Sequence, residues 1–258
     1  MRVALTGVSK GRGGIALPDT SAEFSSGRVV LAVAETEQRP TLLGLMASGR
    51  MRPDTGDVLI DGRRDAAALR RRIALVDAPD VSDPAPTVTV AGIVAEELMF
   101  AGRRSDPVAA LRWLDEAEAR DLARVPIADV APQRRLRLLL ELATLRRGVD
   151  GLVLVSPDRH GGDPREWWAL AHEYAGRGFA VLVVAGEAST AVLAEADTAL
   201  EHGAAAEQDA VAEHDGAGAS GGARRIRPSR VHPSPSRVHA RPTRVRPHSA
   251  LATPGGRP

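Results

Sequence analysis

Hydrophobic positions along the first 200 residues fall into two alternating patterns. Val3–Val8, Val29–Ala34, Asp57–Ile60, Ile73–Val76, Leu152–Val155 and Phe179–Val184 are short runs, several of them apolar throughout. Runs of this length and continuity predict strands covered on both faces. Between them, Leu42–Met46, Val90–Phe100, Val108–Ala123, Arg134–Leu145 and Pro164–Gly176 carry apolar residues at helical spacing. Gly27, Gly56, Gly62, Gly148, Gly151 and Gly178 punctuate the ends. Strands interleaved with helices predict an α/β sheet, and the strand-rich stretch Arg2 to Ala34 predicts a small β region ahead of the helices. Within it, Lys10-Gly11-Arg12-Gly13-Gly14 is glycine-rich and basic. Its spacing does not match a phosphate loop, and its place after an apolar run predicts a hairpin turn.

Composition adds a boundary. The 258 residues are 43% hydrophobic and 26% charged, as in ordinary globular proteins. The net charge of +1 hides two unlike parts. From Gly221 onward there are nine arginines and no acid, so residues 1–220 carry 25 basic and 33 acidic groups, a net −8. Gly203–Gly222 is rich in Ala, Gly, Glu and Asp, and Ala223–Pro258 in Arg, Pro, His and Ser, without hydrophobic periodicity. Such a segment cannot offset the entropy of ordering and is expected to be disordered. Ser229-Arg230-Val231-His232, Ser236-Arg237-Val238-His239 and Thr243-Arg244-Val245-Arg246 recur every seven residues, but the prolines around them exclude a coiled coil. The tail reads as a solvated extension whose charge allows weak contact with polyanions, without sequence-specific nucleic-acid recognition. The absence of cysteine excludes disulfides, thiolate metal sites and cysteine nucleophiles. No apolar stretch approaches the ~18 residues of a membrane span, and Met1–Gly14 lacks the apolar core of a signal peptide. The expected location is cytoplasmic.

The order of the pieces resembles the ATP-binding subunit of ATP-binding cassette (ABC) transporters. Gly27–Leu31 resembles the strand entering the P-loop, and Gly49–Gly62 the stretch that follows the P-loop helix. Arg71–Val76 followed by Thr89-Val90 resembles the strand before the Q-loop and the helix start beyond it. Gln133–Leu136 resembles the end of the signature motif, and Leu152–Pro157 the Walker B strand. Phe179–Val184 and then Glu195-Ala196-Asp197 resemble the H-loop strand and its sequel. The resemblance spans residues 1–200 in order and implies an ABC-type P-loop NTPase-like domain there. It places a helical insert at about 90–145 and leaves the tail as residues 201–258.

The residues that differ are those with chemical roles. A P-loop needs glycines whose N–H groups curl around phosphate, then Lys, then Ser/Thr for magnesium. Here Val33–Thr41 contains no glycine, and the lysine position falls on Arg39 or Pro40. Proline offers neither hydroxyl nor N–H. Glu35 and Glu37 bring negative charge, and a like-charge pair near 4 Å costs about 4 kcal/mol at an effective dielectric of 20. The Q-loop position holds Ala78 or Asp77. The signature is Asp129-Val130-Ala131-Pro132-Gln133, keeping only its glutamine. Val155 and Ser156 stand for the Walker B aspartate and glutamate, and Gly186 for the H-loop histidine. The resemblance therefore implies a degenerate, non-hydrolysing subunit with no catalytic residues.

Arg39, Thr41 and Gln133 are the residual ATP-site positions. No cofactor is expected, or ATP with magnesium if the atypical site works. The implied partner is a membrane-embedded transporter subunit or a second ABC ATPase subunit, with docking through Val81–Phe100 and the helical insert, which would place the protein at the inner face of the plasma membrane. Two other readings stand beside this one. One is a weak ATPase using Arg39 and Thr41. The other is a soluble scaffold or regulator unrelated to transport.

Three further clusters read as structural. Asp158–Asp163 holds three potential metal ligands on one loop without a partner cluster, so a dimer-contact or solvated loop is expected rather than a metal site. Trp168 and His172 share a helix face, as do Trp167, Ala171 and Tyr174, which predicts a helix packed on the sheet. Glu96-Glu97 reads as a charged helix face. No Ser/His/Asp triad can be assembled.

Overall fold

A computed structural model of the chain describes residues 1–35 and 38–195. The tail, and Ala196-Asp197 of the expected motif, lie outside the described residues. The element order is β1 (Arg2–Lys10), β2 (Leu17–Ser25), β3 (Val29–Val33), α1 (Arg39–Ala47), β4 (Thr55–Ile60), α2 (Ala66–Arg72), β5 (Ile73–Val76), α3 (Val90–Phe100), α4 (Pro107–Glu116), α5 (Pro132–Thr144), β6 (Gly151–Val155), α6 (Pro164–Gly176) and β7 (Ala180–Ala185). Residues 187–195 are helical.

Two sheets form. One is antiparallel with strand order β2-β1-β4, and the other is parallel with order β3-β7-β6-β5. The period-two geometry of a strand sends alternate residues to opposite faces. Ala74, Val76, Leu152, Leu154, Val181 and Val183 join a core with α3, α5 and α6. Ile73, Leu75, Val153, Val155, Leu182 and Val184 join a second core with α1 and the antiparallel sheet. The continuous apolar runs are thus explained: both faces of the parallel sheet are covered.

Close approach sets two positions. Gly44 of α1 faces Val155 and Leu75, where a Cβ would come within 2.7 Å of Val155 Cγ2, so the helix can lie tightly on β6. Gly56 of β4 has φ +74°, and a Cβ there would come within 2.2 Å of the Gly7 carbonyl oxygen on β1.

The expected hairpin turn at Lys10–Gly14 is present, with β1 and β2 antiparallel on either side of a short helical turn at Arg12–Gly14. One expected helix is shorter than its pattern. The Val108–Ala123 segment is helical only to Glu116, because Glu118 takes φ +52° and ends the regular path before a separate turn at Arg120–Leu122. Two elements lacked a clear pattern: β2, an edge strand containing Pro18, and α2, which buries only Leu69.

Candidate functional site

In a parallel sheet the strand C-termini open at one edge, and the loops there are where ligands bind. Four loops meet that edge here, after β3, β5, β6 and β7.

The loop after β3 enters α1 at Gln38, whose side chain makes no capping bond. Arg39 and Thr41 are half-buried in the first turn, and Pro40 between them is buried. Glu35 turns to the neighbouring loop, where its Oε1 accepts from the N–H of Glu187 at 2.7 Å. Asp158, after β6, accepts from the Gly186 N–H at 3.0 Å and from Ser189 Oγ at 3.1 Å. Two carboxylates of the chain thus cover the N-terminal N–H groups of the 187–195 helix. That is where a helix attracts negative charge.

β6 ends in Val155, which is fully buried in the core under α1. Ser156 follows with φ 47° and ψ 55°, and its N–H donates to the Val184 carbonyl at 2.8 Å. This left-handed residue turns the chain into the short helix Pro157–His160.

The loop after β5 begins with Asp77, also left-handed at φ +55° and buried. Its carboxylate is the centre of an ion network. Oδ1 accepts from Arg135 at 2.7 Å and from Arg159 at 3.0 Å, and Oδ2 lies 2.7 Å from His160 Nε2. Burial alone would raise this carboxyl, but the hydrogen bonds from His160 and Arg135, with the charges of Arg135 and Arg159, outweigh it and hold it below the ordinary range. Arg135, itself buried in α5, also donates to the Ile127 carbonyl at 3.3 Å. The network therefore joins the β5 end, the β6 loop and α5.

Three carboxylate or imidazole groups of the Asp158–Asp163 loop diverge. Asp158 serves the 187–195 helix, His160 serves Asp77, and Asp163 caps α6 by accepting from the Arg165 N–H at 2.9 Å. They do not converge on one point. Gln133 is exposed in the first turn of α5 and lines a small recess with Pro132, Gly162 and Trp167, which includes neither Arg39 nor Thr41.

These residues do not fit a magnesium nucleotide. The Val155 side chain carries no oxygen, Ser156 has its N–H committed to Val184, Pro40 has none to give, and the Glu35 carboxylate occupies the Glu187 N–H at the same edge. Asp77, Arg135, Arg159 and His160 were not legible as a cluster from spacing. The signal available was their position, since Asp77 and His160 each follow an apolar run that ends at this edge.

The topology, a β3–α1 entry into a parallel sheet ordered β3-β7-β6-β5 with an antiparallel sheet on one face and α3–α5 on the other, now has a counterpart. It has the fold of ABC ATP-binding subunits. The ATP-binding subunit of an ABC transporter matches over 74% of this chain and 82% of its own, at 19% identity and a TM-score of 0.51. A nucleotide-free ATP-binding cassette from an ABC transporter matches over 72% and 82%, at 15% identity and 0.52. The cbiO1 protein of Clostridium perfringens, part of the ABC transporter complex cbiONQ, matches over 71% and 77%, at 18% identity and 0.50. No protein-family model and no curated protein matches the sequence. Among the described residues, no helix is long and apolar enough to cross a membrane.

Proposed function

We propose that the chain is a non-hydrolysing counterpart of ABC ATP-binding subunits that acts through its retained shape. It would dock on a membrane-embedded transporter subunit or pair with a competent ATPase subunit. The observation that carries this reading is the end of β6. Where the resemblance places a magnesium-linked aspartate and a catalytic glutamate, Val155 is packed under α1 and Ser156 is folded back on Val184. A general base alone is worth about 10²–10⁴ in rate, and here its metal partner and the phosphate loop are replaced as well.

Docking through the stretch before and along α3 is supported by its surface. Val81, Met99 and Phe100 are about half exposed, and Val108 at the start of α4 about two-thirds. Arg39, Thr41 and Gln133 are then remnants of an ATP site rather than working contacts. The cytoplasmic face of a membrane is the place such a subunit would act.

The test is a magnesium-dependent ATPase assay paired with a melting assay in ATP. We expect no turnover above background and no rise in melting temperature at millimolar ATP. Turnover that disappears in Arg39→Ala would overturn the proposal and establish an atypical ATPase instead.

A further inference from the structure

The opposite edge of the parallel sheet is unlike the edge described above. β5 and β6 run in register, Ile73 beside Gly151, so their N-termini lie together. A groove of about 580 Å³ runs there between the end of α2, the end of α3 and the 146–149 loop that leads into β6. Its lining includes Arg70, Arg71, Arg72, Arg146 and Arg147, with Ile73, Phe100 and Val149 as apolar side chains. A sixth arginine stands close by. Partial burial, with the charges of Arg146 and Arg70, holds the Arg50 guanidinium below its ordinary pKa.

Arginines near helix ends often do no more than complement the last carbonyls, so the partners matter. Arg72 is neutralised by Asp61 and Asp150, each at 2.7 Å. Arg70 donates to the Gly49 carbonyl at 3.0 Å. Arg146 has only Glu97, at 3.8 Å, and its buried Nε has no acceptor. Burial, foremost, raises the Glu97 carboxyl despite the nearby Arg146 charge, which leaves that pairing weak. Arg71 and Arg147 are exposed and have no partner among the described residues. Arg70 and Arg71 share the last turn of α2, and Arg146 and Arg147 follow the end of α5, so each complements a helix end, yet Arg71, Arg146 and Arg147 have no close carboxylate to neutralise them. The like charges repel, which offsets the small gain each draws from its helix end.

Guanidinium forks match the oxygens of phosphate in geometry and charge. The volume suits a small molecule rather than a polymer. We propose that this groove binds a compact, multiply charged phosphate anion, a pyrophosphate or phosphate-ester group held between Arg71, Arg146 and Arg147. The sheet separates it from the edge where the β3–α1 loop lies, so it is independent of any nucleotide at that edge. A soluble phosphate compound and a phosphorylated lipid headgroup present the same chemistry.

Tripolyphosphate titrated into the full chain at physiological salt tests the site. We expect saturable binding that weakens about tenfold for each guanidinium removed, hence about a hundredfold in Arg71→Ala/Arg147→Ala. Both side chains are exposed, so the variant should melt with the wild type. Arg71→Lys/Arg147→Lys keeps the charge and should lose less than the alanine pair, though more than nothing, since the fork is gone. Absent binding, or equal affinity in the alanine pair, overturns the proposal. Equal affinity would assign the anion to the arginine-rich segment beyond Gly221. Phosphatidylcholine vesicles with and without phosphatidylinositol phosphate identify the source. Recruitment that requires Arg71 and Arg147 points to a lipid headgroup, and tripolyphosphate binding without recruitment to a soluble compound. Recruitment that survives the alanine pair counts against the groove.

Discussion

Changing Asp77 to Asn removes one negative charge from a buried site while keeping the side chain's shape. Asparagine also tolerates the left-handed backbone at φ +55°, so the substitution isolates the charge from the turn. Asp77 has no exposed side-chain surface and faces three donors, Arg135, Arg159 and His160. Arg135 is the decisive one, because its side chain is only 6% exposed and cannot rehydrate. Breaking a buried pair by removing one partner costs about 3–5 kcal/mol. Arg159, 22% exposed, keeps Asp83 at 3.4 Å and can turn towards water, which favours the lower end of that range. A loss of about 3 kcal/mol in a fold of this size lowers the melting midpoint by roughly 6–12 °C.

The pH dependence has a definite sign. The folded-state pKa of Asp77 is below its unfolded value. The stabilisation is therefore fully present above the ordinary carboxylate pKa and disappears as pH falls through the lowered one. The gap between wild type and Asp77→Asn should be constant near neutrality and close under acid. Urea unfolding followed by circular dichroism, at a series of pH values, measures it. A double-mutant cycle with Arg135→Met sharpens the test, since Asp77→Asn should cost under about 1 kcal/mol once the buried guanidinium is gone. A cost that is the same with and without Arg135, or a gap that widens in acid, would refute the network as described.

Two further outcomes follow from the β3–α1–β6 contact. Gly44→Val should destabilise the fold by about 1–3 kcal/mol, because its Cβ meets Val155 Cγ2 at 2.7 Å, and Val155→Ala in the same chain should recover part of the loss on denaturant unfolding. Rewriting 33–40 as Gly-Pro-Asn-Gly-Ala-Gly-Lys-Ser removes Glu35 and supplies the glycines, lysine and hydroxyl of a phosphate loop. ATP should then raise the melting midpoint of the rewritten protein and leave that of the original unchanged, with hydrolysis expected in neither because Val155, Ser156 and Gly186 remain.

The parallel sheet could be read from the chain because burial on both faces leaves continuous apolar runs, as in Leu152–Val155 and Ala180–Ala185. β2 escaped for the converse reason. As an edge strand it buries Leu17, Ala22 and Phe24 among Pro18, Asp19, Thr20 and Ser21, too sparse an alternation to stand out. α2 is a seven-residue helix with an Asp65 cap and one buried side chain, below the length at which periodicity is informative. The break of the expected 108–123 helix depends on one left-handed residue, Glu118, which nothing in the pattern marks. In the candidate site, the residues just beyond β3, β5, β6 and β7 could be placed at one edge because each follows an apolar run. The Asp77 network was not legible, because it joins residues 58 and 83 positions apart.

That network bears on how firmly this edge is held. Val155 and the Asp77 cluster lie at the ends of adjacent strands, β6 and β5, paired in register from Ile73–Gly151 to Val76–Leu154. An apolar side chain at the first end fixes α1 to the sheet, and a buried ion network at the second fixes α5 and the Pro157–His160 turn. The Asp158 carboxylate, on that same turn, fixes the 187–195 helix. Loops that open and close around a ligand are drawn from the less stable parts of a fold. Here each described loop at that edge is tied by a buried side chain or a charge-assisted hydrogen bond. Such an edge is suited to holding one shape for a partner rather than to cycling between two. Amide hydrogen exchange on residues 77–83 and 156–163 would show it, as protection close to that of the strands themselves, and fast exchange there would mean that the edge still moves.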